Sequence, residues 1–194
     1  MIGPLAVAVL GLLLERPMHP YEMVQLLLAR SEDRLIKVRP GSLYHAVDRL
    51  HADGFVRPVG TERAGNRPER TTYAITAEGV DALGDWVRQA LAAPAPEYPR
   101  FPLALGEAHN LPRDEVVARL RRRLVALHGQ EAEIAAGEGI VRGKELPEAF
   151  WLDLPYTRVL LTAEIDHLTT LVARIESGDL SWPDPPVTEP HGVQ

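Results

Sequence analysis

The chain has 194 residues, 45% apolar and 25% charged, an ordinary balance for a soluble globular protein of one large or two small domains. It has no cysteine, which excludes disulfides, thiolate metal sites and thiol nucleophiles. The formal charge of −6 argues against a nucleic-acid binder until its distribution is seen: residues 1–92 carry 11 basic and 11 acidic side chains, residues 93–194 carry 10 and 16.

Taken in order, residues 4–15 read as a mostly apolar helix stopped by Arg16-Pro17. A helix apolar on nearly every side is expected to sit against several neighbours, a partner chain among them. The run is too short to span a bilayer, no basic residue precedes it and no cleavage site follows, so a cytoplasmic protein without a membrane partner is expected. A second helix runs over residues 20–29 with Tyr21, Val24, Leu27 and Leu28 inward, and residues 31–38 form a polar connector.

Pro40 then suits the first position of a third helix, because its missing N–H leaves no bond unmade. Leu43, Val47 and Leu50 supply its buried face and Gly54 can end it. Residues 55–59 and 70–76 are β-rich runs joined by a loop with Gly60, Gly65, Asn66 and Pro68. A helix opening on small residues, followed by an arginine-bearing hairpin, is the outline of a winged helix-turn-helix. Such a helix lies in the DNA major groove while the wing touches the backbone. Residues 37–70 hold seven basic and four acidic side chains, so the local field suits DNA although the whole chain is acidic.

Thr76 caps the next helix, over residues 77–92, with Val80, Leu83, Val87 and Leu91 at helical spacing. The proline-rich run 93–99 marks a domain boundary. A long helix over residues 112–136 carries Val117, Leu120, Leu124, Leu127 and Ile134, and the glycines of 137–143 are expected to break it. Residues 147–154 suggest a helical turn that Pro155 ends or kinks. The last helix, residues 155–177, carries Leu161, Ile165, Leu168, Val172 and Ile175 at 4-3-4-3 spacing, which suits packing on a partner helix at a shallow angle. This stripe is the expected dimer interface; the alternative is that it packs only on the helix of its own chain that carries Val117 to Ile134. Residues 182–194, with four prolines, read as a loose tail. The fold class is mainly α. The expected domains are 1–92, a winged helix-turn-helix with its linker helix; 93–181, a helical dimerisation and effector domain; and 182–194, the tail.

Residues 10–14 (Leu-Gly-Leu-Leu-Leu) together with Met18-His19-Pro20-Tyr21-Glu22-Met23, then Pro40-Gly41-Ser42-Leu43-Tyr44 with Leu50 and Asp53-Gly54, and finally Arg67-Pro68 through Tyr73 and Ile75-Thr76 to Glu78-Gly79, form three ordered blocks. Together they closely resemble the PadR family of bacterial transcriptional regulators over roughly residues 5–92. The resemblance implies an N-terminal winged helix, a helical C-terminal dimerisation domain, and a homodimer on a pseudo-palindromic DNA operator. Two positions depart from the family pattern: Pro20 stands where glycine is usual, and Arg39 where a Ser or Thr cap is common. A cation at a helix N-terminus opposes the macrodipole; a bound phosphate resolves the conflict, as does a side chain turned into water.

The expected DNA contacts are Ser42, Leu43, Tyr44 and His45 at the front of the third helix, Arg39 before it and Arg49 further along, with Arg63, Arg67 and Arg70 on the wing. The plain alternative for Arg49 is a salt bridge to Asp48 or Asp53. Trp86, Tyr98, Phe101, Phe150 and Trp151, with Tyr156, either pack an interdomain seam or wall a pocket for a flat, mainly apolar effector. His128-x-x-Glu131 and Glu164-x-x-His167 each place an imidazole and a carboxylate on one helix face, but a di-iron bundle needs Glu-x-x-His on two helices plus two further glutamates. No Gly-rich phosphate loop or nucleophile elbow is present, so neither metal, cofactor nor enzymatic activity is expected. The expected function is a dimeric DNA-binding transcriptional repressor, with release by a small molecule as its regulation. The rival reading is a helical protein-interaction or small-molecule-binding module that does not read DNA.

Overall fold

The computed structural model describes residues 2–62 and 70–183, with the backbone alone at 61, 62 and 70. The chain divides into two compact units, residues 1–97 and 98–194.

The first unit holds α1 (Pro4–Glu15), α2 (Pro20–Ala29), α3 (Pro40–Ala52), the antiparallel hairpin β1 (Val56–Glu62) and β2 (Arg70–Ile75), and α4 (Ala77–Ala92). Three of the four helices start on a proline at the first position, where its fixed φ already suits a helix. The core gathers Val9, Leu10, Leu12 and Leu13 of α1, Met18, Met23, Val24 and Leu27 around α2, Leu43, Val47 and Leu50 of α3, and Val56. The inward face of α2 differs from expectation. Tyr21 and Leu28 are 56% and 46% exposed, and Pro20 and Met23 are buried in their place. Val80, Val87 and Leu91 of α4 are likewise exposed, while Leu83 packs on the core.

The end of α3 and the start of α4 are tied by Thr76. Its backbone N–H donates to Phe55 O at 3.0 Å, its hydroxyl donates to Gly54 O at 2.8 Å, and the same oxygen accepts from the Gly79 N–H at 3.1 Å. Gly54 takes the left-handed conformation that ends α3, with φ +78°. The hairpin pairs Val56 with Ile75 through Glu62 with Arg70, with a register shift between Pro58 and Gly60. Met18 adds a bridge to Tyr73 on the outer side of β2, through two reciprocal backbone bonds of 3.0 Å.

The second unit is built on α6 (Arg113–Gly143) and α7 (Asp153–Ser177), preceded by the short α5 (Arg100–Gly106). Three expectations are corrected here. The glycines of 137–143 do not break α6, which continues to Gly143. Each glycine costs about 1 kcal/mol in a helix, but Ile134 and Glu138 are buried on this stretch and packing holds it. Pro155 does not end a helix; it stands in the first turn of α7, where no intrahelical N–H bond is lost. Trp182 is not part of a loose tail. Its indole N–H donates to Leu111 O at 2.9 Å and its ring packs on the core; residues 184–194 lie outside the described residues.

The stripe on α7 is also reassigned. Ile165, Leu168, Val172 and Ile175 are buried against Val116, Val117, Leu120 and Leu127 of α6 in the same chain, with Leu161 half-buried beside them. Two amphipathic helices of one chain satisfy each other's apolar faces, so within the chain this stripe is an intramolecular seam. Salt bridges Arg121–Glu176 (2.7 Å), Arg123–Glu164 (2.6 Å) and Arg158–Glu131 (2.9 Å) flank it.

Candidate nucleic-acid interface

Helix α3 buries Leu43, Ala46, Val47 and Leu50 and turns Gly41, Ser42, Tyr44, His45, Asp48 and Arg49 outward. Leu43 is 0% exposed, so it holds the helix in place and does not reach a groove. The N-terminus of α3 has no side-chain cap: Arg39 precedes it in extended conformation with its side chain exposed. The first amides and the positive end of the helix dipole are thus left facing outward beside a guanidinium, an arrangement that suits a phosphate.

Tyr44 is 41% exposed and meets the His19 ring edge-on, with centroids 6.2 Å apart. His19 Nδ1 accepts the Tyr21 N–H at 3.0 Å, so the cap of α2 fixes the ring against which Tyr44 rests. At the other end of α3, His51 Nδ1 lies 3.1 Å from Val56 O and the ring stands edge-on to Tyr73 of β2. Burial, and then the charge of Asp48, push the Tyr73 phenol above its ordinary value. Arg49 directs its Nε to the His45 carbonyl at 3.4 Å, in place of the salt bridge to Asp48 or Asp53.

Of the wing arginines, Arg63 and Arg67 lie outside the described residues, and Arg70 opens β2 with its side chain likewise undescribed. The aromatic residues fall in separate places. Trp86 lines a cavity of about 660 Å³ in the first unit, between the start of α1, α3 and α4, together with Leu5, Ala46, Arg49, Asp53 and Phe55. In the second unit Trp151 is buried with Ile134 and Leu154, its indole N–H on Leu146 O at 3.2 Å, while Phe101 lies under the Arg123 guanidinium at 3.5 Å. Tyr98, Phe150 and Tyr156 are 92%, 79% and 67% exposed. The carboxylates of the two Glu/His pairs are engaged elsewhere, Glu131 with Arg158 and Glu164 with Arg123.

Two residues were not among the candidate site residues expected from the sequence. Glu138 is 5% exposed between α6 and α7, with Oε2 3.3 Å from Arg158 and Oε1 without a hydrogen-bond partner. Its neighbours Gly137 and Gly139, taken as breakers, hid it. Asp48, the acidic member of the α3 face, stood in plain view but lacked the positive charge by which DNA contacts are sought.

A family model described as the transcriptional regulator PadR-like family matches residues 9–85. No curated protein matches the chain. Among solved structures, PadR of Bacillus subtilis in complex with operator DNA is 19% identical, with a TM-score of 0.75 over 88% of this chain and 97% of that one. The same protein in complex with p-coumaric acid is 17% identical, with a TM-score of 0.71 over 89% and 98%. The PadR-like transcriptional regulator of Bacillus cereus is 14% identical, with a TM-score of 0.66 over 90% and 99%. At these identities the structures speak for the fold, and the family match speaks for the segment that carries the winged helix. Residues 9–85 are therefore similar to the PadR-like family of transcriptional regulators, and the chain has the fold of the solved PadR structures.

Proposed function

We propose that the protein is a homodimeric regulator that binds a pseudo-palindromic operator through α3 and the wing, represses by occupying promoter DNA, and is released by a flat, mainly apolar small molecule. The observation that carries the reading is the uncapped N-terminus of α3, with Arg39, Ser42, Tyr44 and His45 exposed around it. A helix of this kind places its first residues against base edges and phosphates in the major groove. The solved relative of the same fold that holds operator DNA supports it.

Dimerisation is assigned to the outer face of α7. Leu152, Tyr156, Val159 and Leu160 recur there at helical spacing and are 53–67% exposed, an apolar face of the kind that marks association. Release is assigned to a ligand that favours a dimer whose two reading helices are wrongly spaced for the operator. The relative solved with p-coumaric acid and the cavity beside Trp86 support a small-molecule partner.

The test is a fluorescence-anisotropy titration with the duplex immediately upstream of the gene against a scrambled duplex of equal length. The expected preference is roughly 10³-fold. Tyr44→Ala should weaken specific binding by about 1–3 kcal/mol and leave thermal stability unchanged. Equal affinity for both duplexes overturns the reading, and a protein that is monomeric at micromolar concentration overturns its dimeric form.

A further inference from the structure

One side chain on the exposed face of α3 works against both the helix and a polyanion. Asp48 stands in the C-terminal half of α3, where the helix dipole disfavours a carboxylate, and aspartate is a weak helix former. Among the described residues no salt bridge or hydrogen bond engages it, and Arg49 beside it turns to a backbone carbonyl. It follows Tyr44 by four residues and His45 by three, so the three share one outward ridge opposite Leu43, Val47 and Leu50. The charge of Asp48, after burial, is among the causes that raise the Tyr73 phenol of β2.

A carboxylate only accepts hydrogen bonds, and DNA phosphates repel it. On a helix seated in the major groove its favourable partners are the base amino groups, cytosine N4 and adenine N6. Adenine sets its N7 acceptor beside the donor and suits an amide, whereas cytosine N4 suits a carboxylate. We propose that Asp48 is a specificity-determining residue that selects a cytosine in each half-site. Four residues of helix advance about 6 Å, so the selected C·G pair lies about two base-pair steps from the pair beneath Tyr44. This rests on the DNA-reading function proposed above.

The experiment is selection from a randomised duplex library by the full-length wild type, Asp48→Asn and Asp48→Ala, followed by affinity measurement on the enriched duplexes. Because Asp48 is exposed and unpaired, both variants should melt at or above the wild-type temperature. The wild type is expected to enrich one cytosine per half-site and to lose roughly tenfold in affinity when it is replaced by thymine. Asp48→Asn should move that preference to adenine. Asp48→Ala should lose preference at that position alone and bind random duplex more tightly. If all three proteins enrich the same base there, the carboxylate merely repels phosphate and the proposal falls while DNA reading stands. If the wild type enriches no sequence, DNA reading itself falls, and the proposal with it.

Discussion

The two units place their cations differently. In the second unit Arg121, Arg123 and Arg158 cross the α6–α7 seam to Glu176, Glu164 and Glu131, and Arg119 and Arg142 pair with glutamates one turn away on α6. In the first unit, Arg39 and Arg49 on the exposed side of α3 engage no carboxylate among the described residues. The salt bridges of this unit lie on other elements, where Arg16 meets Glu22, Arg30 meets Glu15 and Arg88 meets Asp85. The difference teaches that a formal charge of −6 says little about DNA binding in this chain. Glu131, Glu138, Glu164 and Glu176 neutralise cations that hold two helices together, and Arg39 and Arg49, which engage no carboxylate among the described residues, lie elsewhere.

Five substitutions bear on this contrast. Leu168→Asp places an unpaired carboxylate at a site with 0% exposure in the α6–α7 seam, at a cost of about 5 kcal/mol. Chemical denaturation should show the second unit melting early while the first keeps its transition; loss of dimerisation alone, with the fold intact, would return the stripe to an intermolecular role. Gly79→Ala tests the first unit, where an added Cβ would stand 2.2 Å from Phe55 O. Backbone cannot yield as a side chain does, and a loss of about 3 kcal/mol is expected in thermal unfolding. Thr76→Ala removes the cap of α4 and the tie to Gly54, for about 1.5 kcal/mol by the same measurement. The smallest stability effect sharpens the comparison most. Arg123→Gln should cost below about 1 kcal/mol and leave the salt dependence of DNA binding untouched, whereas Arg49→Gln should spare stability and flatten log K against log salt by roughly one unit. Equal salt slopes for both variants would erase the distinction between the units.

The first unit was legible because its boundaries are written locally. Proline opens α1, α2 and α3, Thr76 caps α4, and Gly54 closes α3, each acting within one turn. The second unit obeys longer-range terms. The 4-3 spacing of Leu161 to Ile175 states that a helix packs there but not whose, and α6 of the same chain supplies it. The glycines of 137–143 carry a local cost that burial of Ile134 and Glu138 outweighs, and no window on the sequence shows the far side of that balance. Helix α5 escaped notice because it has seven residues with Pro102 among them. At the candidate interface, the exposed positions of α3 followed from its period, while Leu43 was given two incompatible roles and Asp48 only that of a salt-bridge partner for Arg49. Periodicity tells which face is outward; it does not assign the chemistry along it.

The Met18–Tyr73 bridge has a kinetic consequence. A two-stranded hairpin in water opens readily, and its amides then exchange with solvent on their own schedule. Here the Met18 and Tyr73 N–H groups donate to each other's carbonyls, and the Met18 side chain is 1% exposed in the core beneath them. Parting this bridge means lifting Met18 out of its packing, together with the segment that carries His19 and the start of α2. The base of the hairpin is therefore gated by the same opening event as the helices, and that base does not sample orientations independently of α3.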